Sequence, residues 1–175
     1  MSGKELLELY FDEGKTHYAF NLMVRSYSEK LYWQIRRMVL DHDDANDVMQ
    51  NTFIKAWKGL PKFNREAALS TWLFRIAHNE SINFLQKNKK NKLHRSDYDL
   101  AWLQDDPYFD GDEAYLLFMQ AIEQLPTKQK AVFNYKYFDE LKYEEIANIV
   151  GTSVGGLKAS YHHAVKKIEE YLKRH

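Results

Sequence analysis

In TWLFRIAHNESINFLQKNKK, residues 71–90, Arg75, Asn79, Asn83, Gln86, Lys87 and Lys90 recur at intervals that gather them on one side of a helix, with no acid among them. The chemistry such a face offers is hydrogen bonding and charge. An amide donates and accepts at once, whereas guanidinium and ammonium groups only donate. Asparagine is a mediocre helix former, because its side chain competes with the backbone for hydrogen bonds. A helix that needed only solubility would mix Glu with Lys for i,i+4 support. The set reads as a contact surface, with a hydrated helix face as the plain alternative.

A second contact surface follows from KYEEIANIVGTSVGGLKASYHHAVKKIEEYLK, which has the grammar of a helix-turn-helix. Ile146, Ala147 and Val150 are expected on the buried side of its first helix, and Gly151 suits the turn. Ser153 is placed to cap the second helix, whose inner face reads Leu157, Tyr161, Ala164 and Ile168. Lys158, Ala159, His162, His163 and Lys166 then point outward, the face that enters the major groove in such motifs. Gly155 and Gly156 in the first turn cost about 1 kcal/mol each relative to Ala. A close pass against a DNA backbone explains that cost, and so does flexible helix initiation. The bland alternative for the pair is an ordinary αα-hairpin. His162 and His163 also suggest a metal, but adjacent helical residues point about 100° apart and rarely share an ion.

A third candidate is DHDDANDVMQNTFI. Asp47, Asn51 and Ile54 share one helix face, with Gln50 beside them and Asp44 a turn earlier. Carboxylate and amide groups around an exposed Ile suit a protein interface with a polar rim. Helix capping by Asp43 or Asp44 is the competing use of these acids. The run is not an EF-hand, since Asn46 and Thr52 stand where that loop needs Gly and Glu. No HExxH, no Glu-x-x-His pair on facing helices and no phosphate-binding glycine loop is present, so neither catalytic residues, a cofactor nor a metal is expected.

The elements that must carry these faces are helical. Periodicity predicts helices over 17–40, with Leu31, Ile35, Met38 and Val39 as its stripe, and over 44–60, with Ala45, Met49, Phe53, Ala56 and Leu60 inward. PKFNREAALS reads as a loop, with Ser70 a candidate cap for the helix of residues 71–90. Helical patterning resumes over 114–124, 127–138, 142–150 and 153–173. The fold class is therefore all-α, in two small domains joined by a linker. With 175 residues there is chain enough for both. The absence of cysteine agrees with a reducing compartment, the N-terminus does not read as a signal peptide, and no membrane-inserting stretch occurs, so the cytoplasm is expected. Formal net charge is +0, which argues against unaided tight binding to nucleic acid. The average conceals blocks: five basic residues and no acid from Leu85 to Arg95, then seven acids and no Lys or Arg from Asp97 to Glu113.

With these residues in place, a family resemblance is visible. DDANDVMQNTFIKAWKGLPKFNREAALSTWLFRIAHNESINFLQKNKK resembles region 2 of the sigma-70 family, in its extracytoplasmic-function (ECF) subgroup. QLPTKQKAVFNYKYFDELKYEEIANIVGTSVGGLKASYHHAVKKI resembles region 4. The resemblance implies a region 2-like bundle over 1–92, an acidic linker over 93–113 and a region 4-like helix-turn-helix over 114–175. It implies a non-catalytic factor that directs core RNA polymerase to the −35 and −10 promoter elements and helps open the strands. The expected partners are the clamp helices and flap of the polymerase, promoter DNA and an inhibitory anti-sigma factor. Asn79, with Arg75, Asn83 and Gln86, would read an unstacked −10 base, while Lys87 and Lys90 hold phosphates. The loop from Phe63 to Ser70, including Asn64, would wall the pocket, with Phe63 a stacking or packing ring. Ser153, Gly155, Lys158, Ala159, His162, His163 and Lys166 would meet the −35 element, and Asp44, Asp47, Gln50, Asn51 and Ile54 the clamp helices. The linker would thread the polymerase, its acids mimicking nucleic acid, with solvated charge as the alternative. One departure stands out: VGGLKASYHHAV replaces the family's VGTVKSRLHRAR, so Ser160 and His163 stand where arginines are usual. An autonomous helix-turn-helix regulator is the rival reading; it would need a dimer, and no heptad seam is apparent.

Overall fold

A computed structural model describes residues 1–89 and 110–175, all of whose regular elements are helical. They divide into two compact units, one drawn chiefly from Met1–Leu85 and one from the described residues of Gln86–Ala147 and Gly151–His175.

The first unit begins with a segment that the sequence reading left unassigned. Ser2 caps α1 (Gly3–Leu7): its Oγ accepts from the Glu5 N–H at 3.3 Å, and Glu5 returns the bond by accepting from the Ser2 N–H at 2.6 Å. One π-helical turn, Glu8–Asp12, continues it. Leu6, Leu7 and Tyr10 are buried, which fixes this segment to the domain.

Helix α2 (Thr16–Val39) buries the expected stripe of Leu31, Ile35, Met38 and Val39. It turns at Leu40, φ +72°, into α3 (His42–Gly59), and the two pack together as a helical hairpin. The cap of α3 is Asp41, whose side chain accepts from the Asp44 N–H at 3.0 Å. Asp43 and Asp44, expected to cap, lie instead in the first turn, where they suit the dipole. The inner face of α3 is Ala45, Val48, Thr52 and Ala56, with Met49 and Phe53 at its margin. Thr52 is tolerated there because its Oγ1 donates to the Val48 carbonyl at 2.8 Å.

After a 3-10 turn, Leu60–Lys62, and a short loop, α4 (Leu69–Lys87) begins one residue before Ser70, so Ser70 is not its cap. Leu69, Leu73, Ala77 and Leu85 face the core, with Ser81 donating back to the Ala77 carbonyl at 2.8 Å. Gln34 Nε2 donates to the Phe74 carbonyl at 3.1 Å and ties α2 to α4.

In the second unit, Asp112 caps α5 (Glu113–Glu123) by accepting from the N–H groups of Ala114 and Tyr115 at 2.9 and 3.4 Å. The last acids of the expected linker thus have a local structural task. Helices α6 (Thr127–Tyr137), α7 (Tyr143–Val150) and α8 (Val154–Arg174) follow. Helices α5 and α6 pack on α8. Lys130, 4% exposed, is buried with its ammonium 3.2–3.3 Å from both Glu123 oxygens.

Candidate nucleic-acid interface

The end of α3 and the middle of α4 enclose an open groove of about 590 Å³. Its apolar wall is Gly59, Trp72, Ile76 and Ile82; its polar wall is Lys55, Asn79, Glu80 and Asn83. A Cβ added at Gly59 would stand 3.2 Å from Trp72 Cζ2, so the glycine lets the indole lie against the backbone. Phe63 backs the same indole, ring centroids 4.9 Å apart, and is 8% exposed. Of the two uses expected for Phe63, this geometry leaves packing; a ring this buried is not presented to a base.

Asn79 and Asn83 are exposed and are the members of the expected −10 set that line the groove. Asn64, Gln86 and Lys87 are exposed and Arg75 is half-buried, none of them in the groove wall; Lys90 lies outside the described residues, as does the linker over 93–109. Asn64 shapes its loop instead, its Oδ1 accepting from the Glu66 N–H at 3.1 Å. The expectation of an acid-free reading face is corrected by Glu80. Its carboxylate forms an ion pair with Lys55 and shares the groove with both amides. Lys55 and Glu80 lie on different helices, and nothing in their sequence spacing announces the pair. Burial holds the neighbouring His78 down to about 4, so its imidazole is neutral at physiological pH.

The loop that follows α3 is anchored from the N-terminus. Arg65, with φ +62°, lays its guanidinium 4.5 Å from the centre of the Phe11 ring and 3.2 Å from Asp12 Oδ1. A cavity of about 520 Å³ lies beside this contact, with Lys4, Tyr27 and Ser70 among its lining.

On α3, Asp47, Gln50, Asn51 and Ile54 are all exposed, Ile54 at 47%, while Asp44 is half-buried. A large aliphatic side chain ringed by amides and a carboxylate is the surface that the sequence pattern describes.

In the second unit, Gly151 takes φ +74° at the end of α7, as the turn requires, and Ser153 Oγ accepts from the Gly156 N–H at 3.2 Å. Ile146 is fully buried, whereas Ala147 and Val150, expected beside it, are half-buried. Leu157, Ala164 and Ile168 are buried; Tyr161 is half-buried and stacks on Phe133, centroids 5.7 Å apart. Gly155, Lys158, Ala159, His162, His163 and Lys166 are exposed along α8. The reading missed Tyr143 at the start of α7, whose ring lies 4.6 Å from Lys136 Nζ and 5.8 Å from Lys158 Nζ. Among the described residues, no group of three His, Asp or Glu is placed to hold a metal ion. No helix there is long and apolar enough to cross a membrane.

Comparison with known proteins bears on both units. The family model for Sigma-70 region 2 matches residues 23–91, and that for Sigma-70, region 4 matches residues 115–168. The RNA polymerase sigma-H factor of Pseudomonas aeruginosa is 31% identical over 88% of this chain and 86% of its own. The ECF RNA polymerase sigma factor SigW of Bacillus subtilis is 30% identical over 89% of each chain. Among solved structures, CnrH in complex with the cytosolic domain of CnrY aligns with a TM-score of 0.71 at 19% identity, over 98% of this chain and 95% of that one. The sigma factor RpoE of Bartonella quintana, solved with the anti-sigma factor NepR, aligns with a TM-score of 0.68 at 24% identity, over 88% and 96%.

Proposed function

The chain belongs to the sigma-70 family, in its ECF group, and on that premise we propose how its surfaces divide the work of initiation. It directs core RNA polymerase to specific promoters and takes part in opening the DNA strands. The chain itself contributes binding, and the polymerase contributes the chemistry.

The assignment of residues is ours. The domain of residues 1–92 takes the −10 element, with an unstacked base entering the groove between α3 and α4. Asn79 and Asn83 meet its hydrogen-bonding edge, Trp72 supplies an apolar wall, and Arg75, Gln86, Lys87 and Lys90 follow the backbone. The domain of residues 114–175 takes the −35 element through Lys158, Ala159, His162, His163 and Lys166, with Ser153 and Gly155 near the phosphates. Asp44, Asp47, Gln50, Asn51 and Ile54 meet the clamp helices, and residues 93–113 connect the domains. The observation that supports this division best is the pair of exposed amides at the rim of a groove with an aromatic wall, on a helix whose end is cationic.

Ser160 and His163 in place of arginines weaken guanine readout, since arginine forks O6 and N7 of that base. A formal net charge of +0 then suits a reader that depends on polymerase for its hold. The sigma factor RpoE of Bartonella quintana is solved with the anti-sigma factor NepR, and we extend a partner of that kind to this chain. Its place of work is the cytoplasm, with the polymerase. Run-off transcription with core polymerase on a genomic promoter library, with and without this protein, tests the reading. Defined transcripts that require both components are expected. Promoter footprints without polymerase would instead favour an autonomous regulator.

A further inference from the structure

We propose that Glu80 sets the base preference of the groove between α3 and α4 by requiring an exocyclic amino group on the base that enters. The inference rests on the −10 reading given above and goes beyond it in naming the residue and the chemical feature selected.

The polar wall of the groove contains two kinds of group. The amides of Asn79 and Asn83 can each turn to present a donor or an acceptor, so they accommodate any base edge. Glu80 cannot adapt in this way, because a carboxylate only accepts. Its side chain is 12% exposed, whereas its partner Lys55 is 56% exposed on a flexible stem. An ion pair open to water on one side is weak, so Lys55 swings out at little cost. Glu80 does not, and a carboxylate left in a partly dry wall demands a new donor.

Adenine, cytosine and guanine each bring an amino group that donates to such an oxygen. Beside it each carries a ring or carbonyl acceptor, which the displaced Lys55 ammonium can satisfy. Thymine offers a single imino N–H between two carbonyl oxygens. A carboxylate that takes that proton turns its second oxygen toward one of those carbonyls. The groove therefore discriminates against thymine, and against any base from which the amino group has been removed.

The test uses holoenzyme assembled from core polymerase and the full chain, on a promoter to which it responds. The unstacked position is defined as the −10 position at which Asn79→Ala abolishes dependence on base identity. Templates carry there each of the four bases, and analogues of the preferred base lacking only its amino group. With the native protein, loss of the amino group should lower initiation roughly 5- to 150-fold, the range of one good base contact. Glu80→Gln, whose amide can also donate to thymine, should largely abolish that ratio. The ratio is taken between two templates with one protein preparation, so a lower folded fraction cancels. Native protein that uses thymine or the analogue without the amino group equally well overturns the proposal, as does a ratio that survives Glu80→Gln. If no −10 base affects the native protein, the groove's role as reader fails and takes this inference with it. Base dependence that survives Glu80→Gln removes Glu80 alone.

Discussion

Arg65 reaches back across the domain to Asp12, its Nη2 standing 3.2 Å from Oδ1, across a sequence separation of 53. Both side chains are largely exposed, so the ion pair itself adds well under about 1 kcal/mol to stability. Its effect is local: it holds a left-handed, non-glycine residue in the loop between α3 and α4. Asp12→Ala should leave the melting temperature nearly unchanged while speeding amide hydrogen exchange several-fold in the loop of residues 63–68. Equal protection of that loop in both proteins would remove Asp12 as its anchor.

Lys158 stands exposed on α8, and its ammonium is 5.8 Å from the centre of the Tyr143 ring. Lys158→Glu replaces attraction to phosphate or base with repulsion, a change on the order of 1–3 kcal/mol for one contact. Initiation from promoters that depend on the −35 element should fall roughly 5- to 150-fold, with polymerase binding intact in a pull-down. Equal loss of both would refute the role given to α8.

Asp47 lies on the opposite kind of surface, exposed beside Gln50, Asn51 and Ile54. Asp47→Arg should weaken association with core polymerase by roughly tenfold or more, the scale of a reversed charge at an interface. The isolated protein should keep its helical spectrum and melting temperature. An unchanged pull-down would take Asp47 out of the interface.

His78 gives the first domain a sensitivity to acid. Burial lowers its value from 6.5 to about 4, so the unfolded chain binds a proton that the folded chain refuses between those values. Stability is fully present above about pH 6.5 and declines as pH falls toward 4, by up to about 3 kcal/mol. Urea unfolding at pH 7 and pH 5 should show the loss in the native protein and a smaller one in His78→Gln. Parallel losses in the two proteins would assign the acid sensitivity elsewhere.

What the sequence made legible follows the reach of each signal. Helical periodicity is local, so α2, α4 and the helices from Glu113 onward were found to within a few residues. Gly151 and Ser153 carried their roles in their residue types. Caps were harder: Asp41 and Asp43 are equally good chemistry two residues apart, and only backbone geometry chooses between them. Ser2 and Glu5 spell a capping box, yet the short helix they start is stable only because Leu6, Leu7 and Tyr10 find a core. The groove was half visible. Its amides and Glu80 lie on one helix, whereas Lys55 and Gly59 join them from α3, a meeting that no interval in the sequence encodes. For Phe63 the sequence left stacking and packing open, because its neighbour Trp72 is a matter of tertiary contact.

The turn at Glu8–Asp12 holds one residue more per hydrogen-bonded ring than the α-helix before it. Leu6 and Leu7 just before it sit in the core, and Phe11 and Asp12 at its far end hold Arg65. Excising a single residue there would rotate one pair against the other by about 100°. The domain would then have to choose between seating its leucines and keeping its grip on the loop, so this segment should tolerate a change of side chain at its exposed positions better than a change of length.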